Sequence, residues 1–226
     1  MKVTLAKTAG FCFGVDRAVS LTQKAADAGE RTYTLGPIIH NRHVTDRFAA
    51  LGVAEIDDPA DVPQGATVVI RSHGVSRSVY EALASHGAKV IDATCPFVSR
   101  IHKLVSDAEA RGRTAVIIGT KTHPEVCAIA GWCRDPQVFE TAEDLENWLL
   151  ADEQRRKMPL SVVFQTTSTQ KLYNSCEKIA KKLCTNCEIF DTICEATEKR
   201  QSEAAELAAA CDAMIVIGDA KSRRCR

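Results

Sequence analysis

The sequence carries no net charge, because 29 Lys and Arg offset 29 Asp and Glu. A balanced chain has no general field to draw it to nucleic acid or an acidic membrane, so neither is expected as a partner. No apolar run approaches the ~18 residues that span a bilayer. The first residues, MKVTLAKTAGFCFG, lack the apolar stretch of a secretory signal. These absences predict a cytoplasmic globular protein. With 226 residues there is room for one large domain or roughly two to three small ones. What the chain has in excess is cysteine, ten in all. In a reducing compartment so many thiols point to metal binding or thiol chemistry rather than a disulfide framework.

Short β-branched runs alternate with amphipathic stretches. Strands are expected at residues 2–6, 33–39, 67–71, 88–91, 114–118, 160–165, 188–190 and 214–217. Runs such as VVI, AVIIG and MIVIG are continuously apolar, the pattern of strands buried on both faces of a parallel sheet. Phe97, Ile101, Leu104, Val105 and Ala108 form one helical stripe. Val79, Ala82 and Leu83 form another, with Gly87 as its C-cap. The alternation predicts an α/β fold.

One pattern recurs. VTLAKTAGFCFGVDRA, KVIDATCPFVSRIHK and EIFDTICEATEKRQ each run strand, loop, cysteine, helix. In the last two, an aspartate stands three residues before the cysteine, as Asp92 with Cys95 and Asp191 with Cys194. The recurrence predicts three similar α/β units with small, mostly parallel sheets around a central cavity. Their boundaries are expected at 1–13 (an N-terminal strand and loop on the third unit), 14–95, 96–192 and 193–226. Pro96 suits a first helical turn, and Thr192 with Glu195 has capping-box spacing, so Cys95 and Cys194 should stand at helix N-termini. There the helix dipole favours thiolate, the metal-ligating form.

Ligands of open α/β sheets sit beyond the carboxyl ends of the strands. Those ends carry His40-Asn41, Arg71-Ser72-His73-Gly74, Gly119 to Glu125, Gln165-Thr166-Thr167-Ser168, and Gly218 to Ser222. Histidines, hydroxyls and loop amides of this kind suit a phosphate. His40, His73 and His123 each follow a buried strand and are candidate ligands. His43, His86 and His102 lie in helical or turn contexts and are expected to be structural. Glu125, two residues beyond His123, is a candidate proton donor.

GFCFGVDRA, IIHNRHV, SHGVS, DATCPFV, THPEV and QTTST together resemble hydroxymethylbutenyl diphosphate reductase, the last enzyme of the methylerythritol phosphate route to isoprenoids. The motifs cover nearly the whole chain in the family's order. The resemblance implies a [4Fe-4S] cluster on Cys12, Cys95 and Cys194, with one iron lacking a protein ligand. It implies that two single electrons and a proton remove the allylic hydroxyl as water, and that a second proton, added at either end of the allyl group, gives isopentenyl or dimethylallyl diphosphate. It implies that His40, His73 and Ser222 bind diphosphate, that His123 and Thr166 orient or relay to the hydroxyl, and that Glu125 supplies protons. A reduced ferredoxin or flavodoxin would donate electrons to a monomer or weak dimer.

The resemblance weakens at the end of the chain. After Ser222 the family continues with a Ser/Asn pair and more of its third unit, whereas here Arg223-Arg224-Cys225-Arg226 follow. The expectation is a C-terminally truncated chain with an incomplete third unit and impaired turnover. A different class remains open. Cys176, Cys184, Cys187 and Cys194 could form a four-thiolate zinc site in a binding module, and the Cys184–Cys187 pair could exchange disulfides. An iron without a protein ligand is exposed to oxygen, so activity is expected to decay quickly in air. An aerobic time course of turnover checks this, and stable activity over hours would count against the cluster.

Overall fold

Strands that are apolar on both sides need cover on both sides, and the chain provides it twice. The computed structural model describes residues 2–219. Strands β1 (Thr32–Leu35), β2 (Ala54–Ile56), β3 (Thr67–Ile70) and β4 (Lys89–Asp92) form a parallel sheet in the order β2-β1-β3-β4. Strands β5 (Thr114–Ile118), β6 (Gln137–Phe139), β7 (Leu160–Phe164) and β8 (Cys187–Ile189) repeat that order as β6-β5-β7-β8. The expected α/β class is the observed one.

The helices follow from their ends. α1 (Phe13–Asp27), α2 (Arg42–Ala50) and α3 (Arg77–Ser85) belong to the first sheet. α4 (Pro96–Ala110), α5 (Pro124–Ala130), α6 (Ala142–Leu150), α7 (Glu153–Lys157) and α8 (Gln170–Leu183) belong to the second, and α9 (Glu195–Ala210) follows β8. Proline opens α4 and α5, where its missing N–H costs no bond. Asn41 and Thr169 cap α2 and α8 with their side chains, and Thr141 with Asp144 makes a capping box at α6.

Alternation along the strands distributes the core. Val69 faces α1 and α2 with Ala18, Ile38 and Phe48, while Val68 and Ile70 face α3 with Leu83. In the second sheet Ile117 and Val163 pack with Ile101, Val105 and Ile129, whereas Val116, Ile118 and Phe164 pack with Leu145 and Leu149. A seam joins the halves at Trp132. Its Nε1 donates to Val75 O at 2.9 Å, and its ring stacks on His102 with centroids 5.0 Å apart.

Three expectations fail. Residues 2–6 and 214–217 lie in no strand, and Ile215 and Ile217 are 86% and 91% exposed rather than buried on both faces. An apolar run becomes a strand only where a ladder takes up its amides and carbonyls, and neither segment has one among the described residues. β2 and β6 have no counterpart among the expected strands, because short edge strands with half-exposed faces lack the apolar run. Thr192 and Glu195 make no capping box, since Cys194 is the N-cap of α9. Instead Thr192 Oγ1 donates to Phe164 O at 2.6 Å and accepts from Phe164 N at 2.7 Å. It satisfies the β7 groups left open where β8 has ended.

Ile118 is fully buried, so Ile118→Ala should lower unfolding free energy by about 2–5 kcal/mol. Urea denaturation followed by circular dichroism checks this.

Candidate functional site

Both sheets reverse their winding beside the first strand of each half, between β1 and β3 and between β5 and β7. Such a switch point opens a crevice at the carboxyl edge. His40 follows β1, His73 follows β3, His123 and Glu125 follow β5, and Thr166 follows β7. All five line one cavity of about 320 Å³, and Cys12, Cys95 and Cys194 line it too. That volume is near the lower bound of the ~300–1,000 Å³ usual for small-molecule sites. Ser222 lies outside the described residues, as do Arg223, Arg224 and Cys225.

The imidazoles of His40 and His73 have centroids 4.5 Å apart, and His123 stands 5.6 and 5.5 Å from them. Among the described residues this is the one group of three or more His, Cys, Asp or Glu ligand atoms drawn within 4.8 Å. His123 caps α5, its Nδ1 accepting from Glu125 N at 3.1 Å. That contact assigns the proton of the neutral ring to Nε2. The ring therefore presents a donor to the cavity, which suits an anion better than a metal ion. Behind His73, Gly74 has φ 72°, and a Cβ there would meet His102 Cε1 at 2.6 Å. Only glycine both allows that backbone and lets His102 pack beneath the turn. Burial pushes the pKa of His102 down to about 4, so its ring is neutral packing, as expected of it.

Glu125 is 2% exposed. Its carboxylate accepts from Thr166 N at 2.6 Å and from Thr166 Oγ1 at 2.8 Å. The carbonyl of Thr166 accepts in turn from Cys194 N at 3.0 Å. The first half has the matching bond, from Cys95 N to Ser72 O at 2.9 Å.

Each of the three cysteines is the N-cap of a helix: Cys12 of α1, Cys95 of α4 and Cys194 of α9. The shared Asp-x-x-Cys offset has a mechanism. Asp92 accepts from Thr94 N at 2.9 Å, and Asp191 accepts from Ile193 N at 3.1 Å. These aspartate turns bend the chain off the strand and bring the next residue to the helix start. Burial raises the pKa of Cys95, and the facing thiols of Cys12 and Cys194 add to the rise, while the amides of Phe97 and Val98 oppose it. Soft sulfur donors from three segments facing one cavity fit a thiophilic metal group. Sulfurs around one tetrahedral zinc stand about 3.8 Å apart at Zn–S ~2.3 Å. Among the described residues these three sulfurs are not drawn within 4.8 Å of one another, so they are not gathered as the ligands of one such zinc are. The close fit extends to Gly14, where a Cβ would stand 2.6 Å from Cys95 Sγ.

The alternative four-thiolate set is not assembled. Cys176 is on the buried face of α8, in the core, and burial pushes its pKa up to about 11. Cys184 and Cys187 face each other, and the hydrogen bond between them lowers the pKa of Cys184. Cys194 lies on the cavity, 3.0 Å from Thr197 Oγ1. Gly14 and Arg200 also line the cavity and went unassigned in the sequence. The glycines flanking GFCFG were the available signal for Gly14, and Arg200, in a polar helix, gave none.

The family model described as LytB protein matches residues 3–226. A 4-hydroxy-3-methylbut-2-enyl diphosphate reductase of Geobacter sp. (strain M21) is 39% identical over 218 residues, covering 96% of this chain and 75% of that protein. The reductase of the same name from Clostridioides difficile (strain 630) is 38% identical, covering 96% and 77%. A solved structure of (E)-4-hydroxy-3-methyl-but-2-enyl diphosphate reductase, the terminal enzyme of the non-mevalonate pathway, superposes with TM-score 0.77 at 36% identity, over 98% of this chain and 78% of that one. The Plasmodium falciparum reductase superposes with TM-score 0.88 at 27% identity, over 96% and 68%.

Gly14→Ala tests the close fit around Cys95. Alanine favours a helix over glycine, so the melting temperature should hold while the added methyl displaces the thiol. Maleimide labelling read by peptide mass spectrometry should show a changed rate at Cys95 and an unchanged rate at Cys176.

Proposed function

The chain belongs to the LytB family of 4-hydroxy-3-methylbut-2-enyl diphosphate reductases, and on that footing we propose that its cavity binds a [4Fe-4S] cluster and removes the allylic hydroxyl of that diphosphate. The observation that carries this reading is the meeting of three helix-capping cysteines with three histidines and a buried glutamate in one cavity. Cys12, Cys95 and Cys194 hold the cluster, which when bound supplies electrons and a Lewis-acidic iron with no protein ligand.

The chain's own residues do the rest. His40 and His73, together with Ser222, bind the diphosphate end. His123 donates from Nε2, since its Nδ1 is held by the Glu125 amide. Thr166 Oγ1 touches Glu125 Oε2 at 2.8 Å, a contact that reverses direction when the carboxyl is protonated. The proton then passes from Glu125 to Thr166 Oγ1, and the threonine's own proton goes to the departing hydroxyl, which leaves as water. Backbone bonding of Thr166 N to Glu125 Oε1 keeps the carboxyl aligned while its other oxygen gives up the proton. A second proton, taken up at either end of the allyl group, gives isopentenyl or dimethylallyl diphosphate.

A reduced ferredoxin or flavodoxin supplies electrons to a cytoplasmic monomer or weak dimer. Among the described residues no helix is long and apolar enough to cross a membrane. The chain divides near 14–95, 96–192 and 193–226, with 1–13 resting on the last part. The near-identical orders of the two sheets support the division of the first two.

Glu125→Gln keeps the shape of the side chain and removes its proton. With reduced viologen as electron source, anaerobic turnover should fall by about 10²–10⁴, the range for losing a general acid, while iron and sulfide per chain stay at the wild-type level. Cys12→Ser should lower the metal content itself. Wild-type turnover in Glu125→Gln would overturn the proton assignment.

A further inference from the structure

Residues 2–10 have no regular structure, and Val3 and Leu5 are 80% and 82% exposed. Cys12 follows at once as the cap of α1. What holds this segment comes from the far end of the described chain. On α9, Glu203 accepts from Lys7 N at 2.6 Å, from Thr8 N at 2.8 Å and from Thr8 Oγ1 at 2.5 Å. One turn earlier on the same face, Arg200 donates from Nε to Thr8 O at 3.1 Å and from Nη2 to Gly10 O at 2.7 Å. The carboxylate therefore takes the segment's amides and the guanidinium takes its carbonyls. Each bond is charge-assisted and stronger than its neutral equivalent.

Arg17 does the corresponding work on the other side of Cys12. From α1 it donates to Thr94 O at 3.1 Å and to Asp92 O at 2.9 Å, on the loop that carries Cys95. The helix capped by Cys194 thus grips the segment before Cys12, and the helix capped by Cys12 grips the loop before Cys95. Exposed ion pairs contribute little because both partners are flexible and hydrated. Here one partner is backbone that no strand ladder holds among the described residues, so the side chains set its position.

We propose that Arg200 and Glu203 are positioning residues that fasten the Cys12 segment to α9 and so fix the spacing of Cys12 from Cys194. The proposal rests on the cluster reading above for its purpose, not for its geometry. Both residues act through Cys12: Arg200, though it lines the cavity, is engaged by the carbonyls of Thr8 and Gly10. The arrangement predicts that the segment, once released, carries Cys12 away from the cavity while Cys95 and Cys194 stay on their own sheets.

The test uses the full chain with Glu203→Ala, Arg200→Ala and the conservative Glu203→Gln and Arg200→Lys. In cluster-free protein, maleimide labelling of each cysteine is followed by peptide mass spectrometry. Both alanine variants should label Cys12 at least about threefold faster, with Cys95 and Cys194 unchanged and the conservative variants in between. After anaerobic reconstitution with iron and sulfide, the same alanine variants should lose iron to a chelator faster. Their reduced clusters should show an altered electron paramagnetic resonance spectrum, partly restored in Glu203→Gln. Unchanged labelling of Cys12 overturns the proposal, and so does an equal rise at all three cysteines, which marks general loosening. A wild-type chain that takes up no iron and sulfide sinks the cluster reading, whereas Cys12 labelling still decides the clamp.

Discussion

Burial of the central strands on both faces is the constraint from which the rest follows. Val68 to Ile70 and Val116 to Ile118 are solvent-free on either side, so no polar side chain can be placed along them without an unpaired group in the core. Polar chemistry is displaced to the carboxyl ends. There the winding reverses twice, and four strand ends deliver imidazoles, a carboxyl and a hydroxyl to one crevice. The apolar core is thus what concentrates the site.

The two halves solve the same local problem with the same parts. After the fourth strand of each sheet an aspartate turns the chain, and a cysteine caps the next helix with its amide bonded to the loop after the third strand. The halves differ where they must. Ser72 in the first half occupies the place of Thr166 in the second, and only Thr166 faces a buried carboxylate. Equivalent backbones therefore present a helix-capping cysteine in both halves and a buried carboxylate–hydroxyl pair in one.

Much of this was legible in the sequence because it depends on short-range pattern. Continuous apolar runs marked the central strands, and polar residues after them marked His40, His73, His123 and Thr166. The Asp-x-x-Cys offset marks Cys95 and Cys194 in the sequence, and its turn geometry supplies the reason. Other features depend on what lies across space. Ile215 to Ile217 read as a strand, yet apolar character alone does not provide a ladder partner. β2 and β6 are strands only because β1 and β5 pair with them. Thr192 had the spacing of a cap, but the open end of β7 had a stronger claim on its hydroxyl. The bonds from Arg200 and Glu203 join residues nearly a whole chain apart, beyond any local signal.

The seam at Trp132 has a mechanical meaning. His40 and His73 hang from one sheet, while His123 and Glu125 hang from the other. The distances among the three imidazoles therefore register the angle between the halves, much as the jaws of a caliper register the rotation of its hinge. The fixed point of that caliper is the hydrogen bond from the Trp132 indole to the Val75 carbonyl, which crosses from one half to the other, while the imidazole of His102 stacked on the indole belongs to the same half as the indole.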